Sequence, residues 1–86
     1  MTEQEYEVLD ELYFVQTFAY LAKQLPHYQE IELRNILIQL LAKGWIKCLD
    51  AHTKQPLDTQ EIDLETNYQT YAYLATKSGL LVHNSK

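Results

Sequence analysis

Apolar positions near the start of the chain recur at three- and four-residue steps. Tyr6, Leu9, Leu12 and Tyr13 share one side of a helix, with acidic residues on the other. Thr2 followed by Glu5 three residues later is a capping-box pattern, which starts that helix near residue 3. From Leu12 to Ala22 the chain is apolar nearly all round, which one straight surface helix does not need. A break near Phe14–Gln16, with Thr17 as N-cap, divides the run into two shorter helices. Pro26 ends the second, because the residue before a proline is pushed out of helical geometry.

A third helix is predicted from Gln29 to Lys43. At about 100° per residue, Leu33, Ile36, Leu37, Leu40 and Leu41 fall in one wide apolar arc. Glu32, Asn35, Gln39 and Lys43 form the narrow stripe opposite. Gly44 suits the position just past the helix, where positive φ is tolerated. Trp45 to Leu49 reads as a strand, with Ile46 and Cys48 on one face and Lys47 and Leu49 on the other. Residues 50–67 lose strong periodicity and read as a long loop around Pro56, with room for one short turn or strand at Leu57, Ile62 and Leu64. Thr70 to Ala75 resumes a strand pattern that places Tyr71 and Tyr73 on one face. Thr76 caps a last short helix through Leu80, Leu81 and Val82, in which Gly79 costs about 1 kcal/mol relative to alanine.

Composition narrows the class. At 86 residues with 47% hydrophobic side chains, the chain is one small globular domain. A chain this short buries only about 60–65% of its unfolded surface, so a partner subunit would help it. No apolar stretch approaches the roughly 18–20 residues needed to cross a bilayer, and no signal-peptide pattern opens the chain. The lone Cys48 excludes an internal disulfide and fits a reducing compartment, so a cytoplasmic protein with no membrane partner is expected.

The net charge of −5 is unevenly placed. Glu3, Glu5, Glu7, Asp10 and Glu11 open the chain without a base among them, and Asp58, Glu61, Asp63 and Glu65 form a second acidic block. Between these blocks Lys23, Arg34, Lys43, Lys47 and Lys54 outnumber Glu30, Glu32 and Asp50. Acidic blocks of this kind serve as solvated surface and argue against a broad basic face for nucleic acid.

Three segments carry a family resemblance. Gln16-Thr17-Phe18-Ala19-Tyr20-Leu21-Ala22-Lys23-Gln24-Leu25 resembles the first helix of a helix-turn-helix. Leu40-Leu41-Ala42-Lys43-Gly44-Trp45-Ile46 resembles the exit from a recognition helix into a wing. Tyr73-Leu74-Ala75-Thr76-Lys77-Ser78-Gly79-Leu80-Leu81 is similar to the start of the last helix in MarR-like regulators. With the element order, these segments resemble a winged-helix domain over essentially the whole chain. The resemblance implies an α+β fold over residues 3–83, with a three-helix core, a small antiparallel wing, a short C-terminal helix and flexible termini at 1–2 and 84–86. It also implies a transcription regulator that reads DNA with the third helix and the wing. The sequence departs from that pattern in its wing, where Lys54 is the one base near Asp58, Glu61, Asp63 and Glu65. DNA carries a negative charge about every 1.7 Å of its axis and would repel such a segment.

Candidate chemistry is sparse. Asn35 and Gln39 can pair with adenine and Lys43 with guanine or phosphate, but the same residue types fill any solvated stripe. Glu32, at the end that would enter a groove first, argues against DNA contact. Tyr6, Tyr13, Tyr20, Ile31, Ile38 and Trp45 are candidates for an association patch, in which aromatic rings with polar handles are favoured. Cys48, His52, His27 and His83 lack the paired spacing of a zinc site, so no metal or cofactor is expected. A shielded Cys48 thiol, exposed carboxylates and two separated glycines offer no catalytic constellation, so the chain is read as no enzyme. Two functions remain: a non-catalytic interaction module, as an adaptor for a protein partner or a dimerising domain, and a DNA-binding regulator, which the charge map disfavours.

Overall fold

Capping side chains set where the helices begin. In the computed structural model, which describes residues 1–85, α1 (Glu3–Asp10) is opened by a reciprocal pair. The Glu5 backbone N–H donates to Thr2 Oγ1 at 3.1 Å, and the Thr2 N–H donates to Glu5 Oε1 at 2.8 Å. Thr17 Oγ1 accepts from the Tyr20 N–H and starts α2 (Phe18–Gln24), which ends ahead of Pro26. The Gln29 N–H donates to Glu32 at the start of α3 (Glu30–Ala42). Gly44, at φ +74°, turns the chain out of α3. All these boundaries follow the expected ones closely.

The sheet is antiparallel, with three strands in the order β1-β3-β2. β2 (Ile46–Asp50) starts one residue later than the sequence pattern predicts, and β3 (Tyr71–Ala75) lies between it and β1 (Gln16–Thr17). Tyr73 faces Cys48 on one side and Gln16 on the other. β1 has no counterpart in the periodicity reading, because two residues are too few to show an alternation. Val8, Leu9, Leu12, Phe18, Leu21, Leu33, Leu37, Leu40, Ile46, Cys48 and Tyr73 form a single buried core under the helices. No described helix is long and apolar enough to cross a membrane.

The stretch read as a long loop is shorter and more structured than expected. Asp50 and Lys54 close a tight turn, and the chain returns beside β2 with Leu49 bridging to Pro56. It then forms a 3₁₀ turn (Thr59–Glu61), α4 (Leu64–Asn67) and a second 3₁₀ turn (Tyr68–Thr70). α4 packs on α3. Two β3 hydroxyls anchor this segment: Tyr73 donates to the Tyr68 carbonyl at 2.6 Å, and the Asp63 N–H donates to Tyr71 at 3.0 Å. Elements of three or four residues fall below the length at which a helical period can be read.

The C-terminal helix α5 (Lys77–Asn84) extends beyond the predicted end at Val82. Of the terminal residues, Thr2 caps α1 and Asn84 ends α5, while Lys86 lies outside the described residues. Gly79 has a role that helix propensity misses. It crosses directly over Trp45, and an added Cβ would fall on the Trp45 carbonyl oxygen and 2.9 Å from its carbonyl carbon. Thr76 fixes this crossing by donating to the Gly44 carbonyl at 2.6 Å through its hydroxyl and to the Trp45 carbonyl at 2.9 Å through its N–H. Because backbone rather than a movable side chain blocks the space, Gly79→Ala is expected to lower stability by about 1–3 kcal/mol despite its better helix propensity. Ser78→Ala, on the exposed side, should change it by less than about 0.5 kcal/mol. Urea unfolding of the two variants checks this, and a G79A protein as stable as the wild type would contradict the crossing.

Candidate functional site

The polar stripe of α3 is exposed as predicted, but its surroundings change what it can do. Glu32, Asn35 and Gln39, with Ile36 and with Gln4 of α1, line a shallow cleft of about 180 Å³. α1 runs back along α3. Its Glu5 meets Lys43 at the end of α3, Gln4 lies beside residues 32–39, and Glu7 meets Tyr28 just before α3 begins. One wall of the cleft is therefore the acidic N-terminal helix.

Lys43, the cation of the stripe, is turned toward the protein. Its Nζ lies 2.6 Å from Glu5 Oε2 and 4.8 Å from the centre of the Trp45 ring. The Glu5 side chain is fully inaccessible to solvent, while that of Lys43 is 44% exposed. Burial works against the charge on Glu5, but the Lys43 hydrogen bond, the Thr2 backbone bond and the Lys43 charge together hold its carboxyl below the ordinary value. Glu5 stands four residues before Leu9 and seven before Leu12, on the apolar face of α1, so that spacing is the signal for its burial.

At the other end of the cleft, negative charge gathers around Tyr28. Its hydroxyl donates to Glu7 at 2.8 Å, and Glu7 also lies 3.1 Å from His27 Nε2. Burial, then the bond and charge of Glu7, then the charges of Glu32 and Glu3, push the Tyr28 phenol up to about 12. No periodicity marks Tyr28, because its partner lies on another helix.

The remaining predicted residues fall in several places. Lys54 adopts a left-handed φ of 62° and folds its ammonium onto the Ala51 carbonyl at 2.6 Å. Asp58 opens the 3₁₀ turn, with Glu61 reaching back to its N–H at 3.1 Å. Asp63 caps α4 by accepting from Thr66, and the Glu65 carbonyl accepts from Arg34. Asp58, Glu61 and Asp63 of the second acidic block thus open short helices. The segment is a folded connection docked on α3, where a long loop without regular structure was expected. Arg34 itself lies 5.9 Å over the Tyr68 ring.

The six candidates for an association patch are not joined by any one cluster of described contacts. Tyr6 and Tyr13 meet at His83, between α1 and α5. Ile38 and Trp45 are half-buried against the core, whereas Tyr20 and Ile31 are exposed on different helices. Phe14, at 76% exposed, is the most open large apolar side chain described and lay outside that set.

Cys48 is fully buried, and burial pushes its thiol up to about 12, so it carries no thiolate at neutral pH. Among the described residues, no three His, Cys, Asp or Glu side chains converge on a point suited to a metal ion. Comparison with protein-family models, with curated proteins and with solved structures returned no match to this chain.

The Glu5–Lys43 pair makes a prediction with a definite pH dependence. A lowered folded value means that the stabilising contribution of Glu5 is present above the usual carboxylate range and is lost as pH falls through it. Lys43→Met leaves a buried carboxylate opposed by burial, and at neutral pH should cost about 1–3 kcal/mol. The gap between K43M and wild type should narrow as pH falls and Glu5 takes up a proton. Urea midpoints at neutral and mildly acidic pH check this, and a constant gap would contradict it.

Proposed function

We propose that this chain is a non-catalytic, winged-helix-like interaction module that engages protein rather than DNA. The order helix, strand, helix, helix, strand, connection, strand, helix, with β3 between β1 and β2, supports the winged-helix reading together with the three resembling segments. The observation that carries the functional choice is the engagement of Lys43 by buried Glu5. It removes from the α3 stripe the one side chain suited to phosphate or guanine, leaving Glu32, Asn35 and Gln39 beside an acidic helix.

Two further cations of the middle segment are also held, Arg34 on Tyr68 and the Glu65 carbonyl, and Lys54 on the Ala51 carbonyl. With its one lysine paired to Glu5, the α3 stripe gains little from counterion release, which supplies most non-specific DNA affinity. Hydrogen-bonding amides with acidic neighbours suit the polar rim of a protein interface. The exposed Phe14 and Leu81 add apolar contact area elsewhere on the surface, where association with an adaptor partner or a second copy has material to work with.

Titration of labelled mixed-sequence duplex DNA at low salt should give no saturable binding. Saturable binding that weakens steeply with added salt would overturn this reading in favour of a DNA-binding regulator. Sedimentation over a concentration series separates the two forms of the module. Concentration-dependent association marks a dimerising domain, and a strict monomer leaves the adaptor.

A further inference from the structure

The two edges of the sheet are treated differently. β2 forms one edge, and the chain returning from the tight turn covers it. There the Leu57 N–H donates to the Cys48 carbonyl and the Asp50 N–H to the Gln55 carbonyl, each at 3.0 Å. β1 forms the other edge, and the strand pairing fixes which of its backbone groups face outward. Cys48 turns its carbonyl away from β3 to meet Leu57, so Tyr73 opposite it turns its own groups toward β1, where it faces Gln16. The Ala75 N–H points the same way and donates to the Leu12 carbonyl at 2.9 Å. Gln16 therefore bonds inward, and Val15 and Thr17 on either side of it turn their N–H groups away from the sheet. Among the described residues, neither the Val15 N–H nor its carbonyl has a hydrogen-bond partner.

An unpaired edge is a template for another strand, and proteins ordinarily blunt it with charges, proline or a covering segment. β1 lacks that protection. From Leu12 to Ala22 the chain carries no charged residue and no proline. Phe14, just before the strand, is 76% exposed, and Val15 is only half-buried. The edge also suits a copy of itself. An antiparallel pair centred on one residue lets each N–H donate to the other's carbonyl, so the free donor and acceptor of Val15 are satisfied in both copies at once. Charge favours the same arrangement. Two chains of net charge −5 repel over much of their surface, but not across the uncharged run. Antiparallel pairing also sends the Asp10–Glu11 end of each copy toward α2 of the other, where Lys23 is the one charge.

We propose that β1 is the docking edge for a second copy of this chain, with Val15 pairing antiparallel with Val15 of that copy across a two-fold axis, so that the two three-stranded sheets become one. Phe14, next to the axis, loses solvent on association and supplies apolar contact that backbone bonds alone lack. The contact is small, so association is weak and depends on concentration. The pairing rests on the proposed interaction module and gives its dimerising form a defined surface, away from the polar stripe of α3.

Sedimentation of the intact protein from about 20 µM to about 1 mM tests the pairing, together with amide hydrogen exchange by NMR at the two ends of that range. A reversible monomer–dimer equilibrium is expected. The Val15 amide, unbonded in the monomer, should exchange roughly three- to tenfold more slowly at the higher concentration. Val15→Lys, which places a charge on the edge, should weaken association by at least about tenfold. His52→Ala, in the turn beyond β2, should leave it unchanged. The Val15 amide is read in the wild-type protein, so it decides the matter even where V15K folds poorly. A strict monomer at about 1 mM, a Val15 amide indifferent to concentration, or a dimer that folded V15K retains overturns the pairing. A strict monomer leaves the adaptor form of the module standing, so this failure is distinct from the DNA binding that would overturn the module itself.

Discussion

A carboxylate placed on the apolar face of a helix has to be answered, and the answer organises one side of this molecule. Glu5 completes the cap of α1 with Thr2 and lies fully inside the protein beside Val8 and Leu9. An isolated buried carboxylate is too costly to keep. Lys43, more than thirty positions along the chain, supplies the charge. This pairing fixes where α1 crosses the end of α3 and draws Lys43 against Trp45. It lies near the Gly44 turn, from which β2 departs and onto which Thr76 locks the start of α5.

The same economy of charge applies across the surface. Acidic residues that look like free surface in the sequence are working as caps: Glu32 at α3, Glu61 at the 3₁₀ turn and Asp63 at α4. Three cations that look available to phosphate, Arg34, Lys43 and Lys54, make contacts within the protein. Net charge is thus a poor guide to this protein's partners, because many of the charges already have them. The proposed preference for protein over DNA rests on that distinction between charges present and charges free.

Much of the architecture is legible in the sequence where local rules decide it. Thr2, Thr17 and Thr76 mark helix starts because the cap bond is made within three residues, and Gly44 marks an exit because its φ is positive. The exposed stripe of α3 follows from helical period alone. What local rules miss is set by distant contacts. β1 exists because Gln16 and Thr17 meet β3, and the 58–70 segment folds because Tyr71 and Tyr73 hold it. Gly79 reads as a weak helix residue until the Trp45 backbone is placed beside it. The site was legible in its residues but not in its charge state, since the partners of Lys43 and Tyr28 lie on α1.

The placement of α1 on α3 depends most directly on Glu5 remaining ionised inside the protein with Lys43 bound to it. An NMR titration that follows the Glu5 side-chain carboxyl carbon in the wild-type protein measures this without perturbing the fold. The predicted result is a midpoint below the ordinary glutamate value, with the Lys43 ammonium protons slowed in exchange over the same pH range. A midpoint at or above that value, with freely exchanging Lys43 protons, would contradict it and return Lys43 to the exposed face of α3.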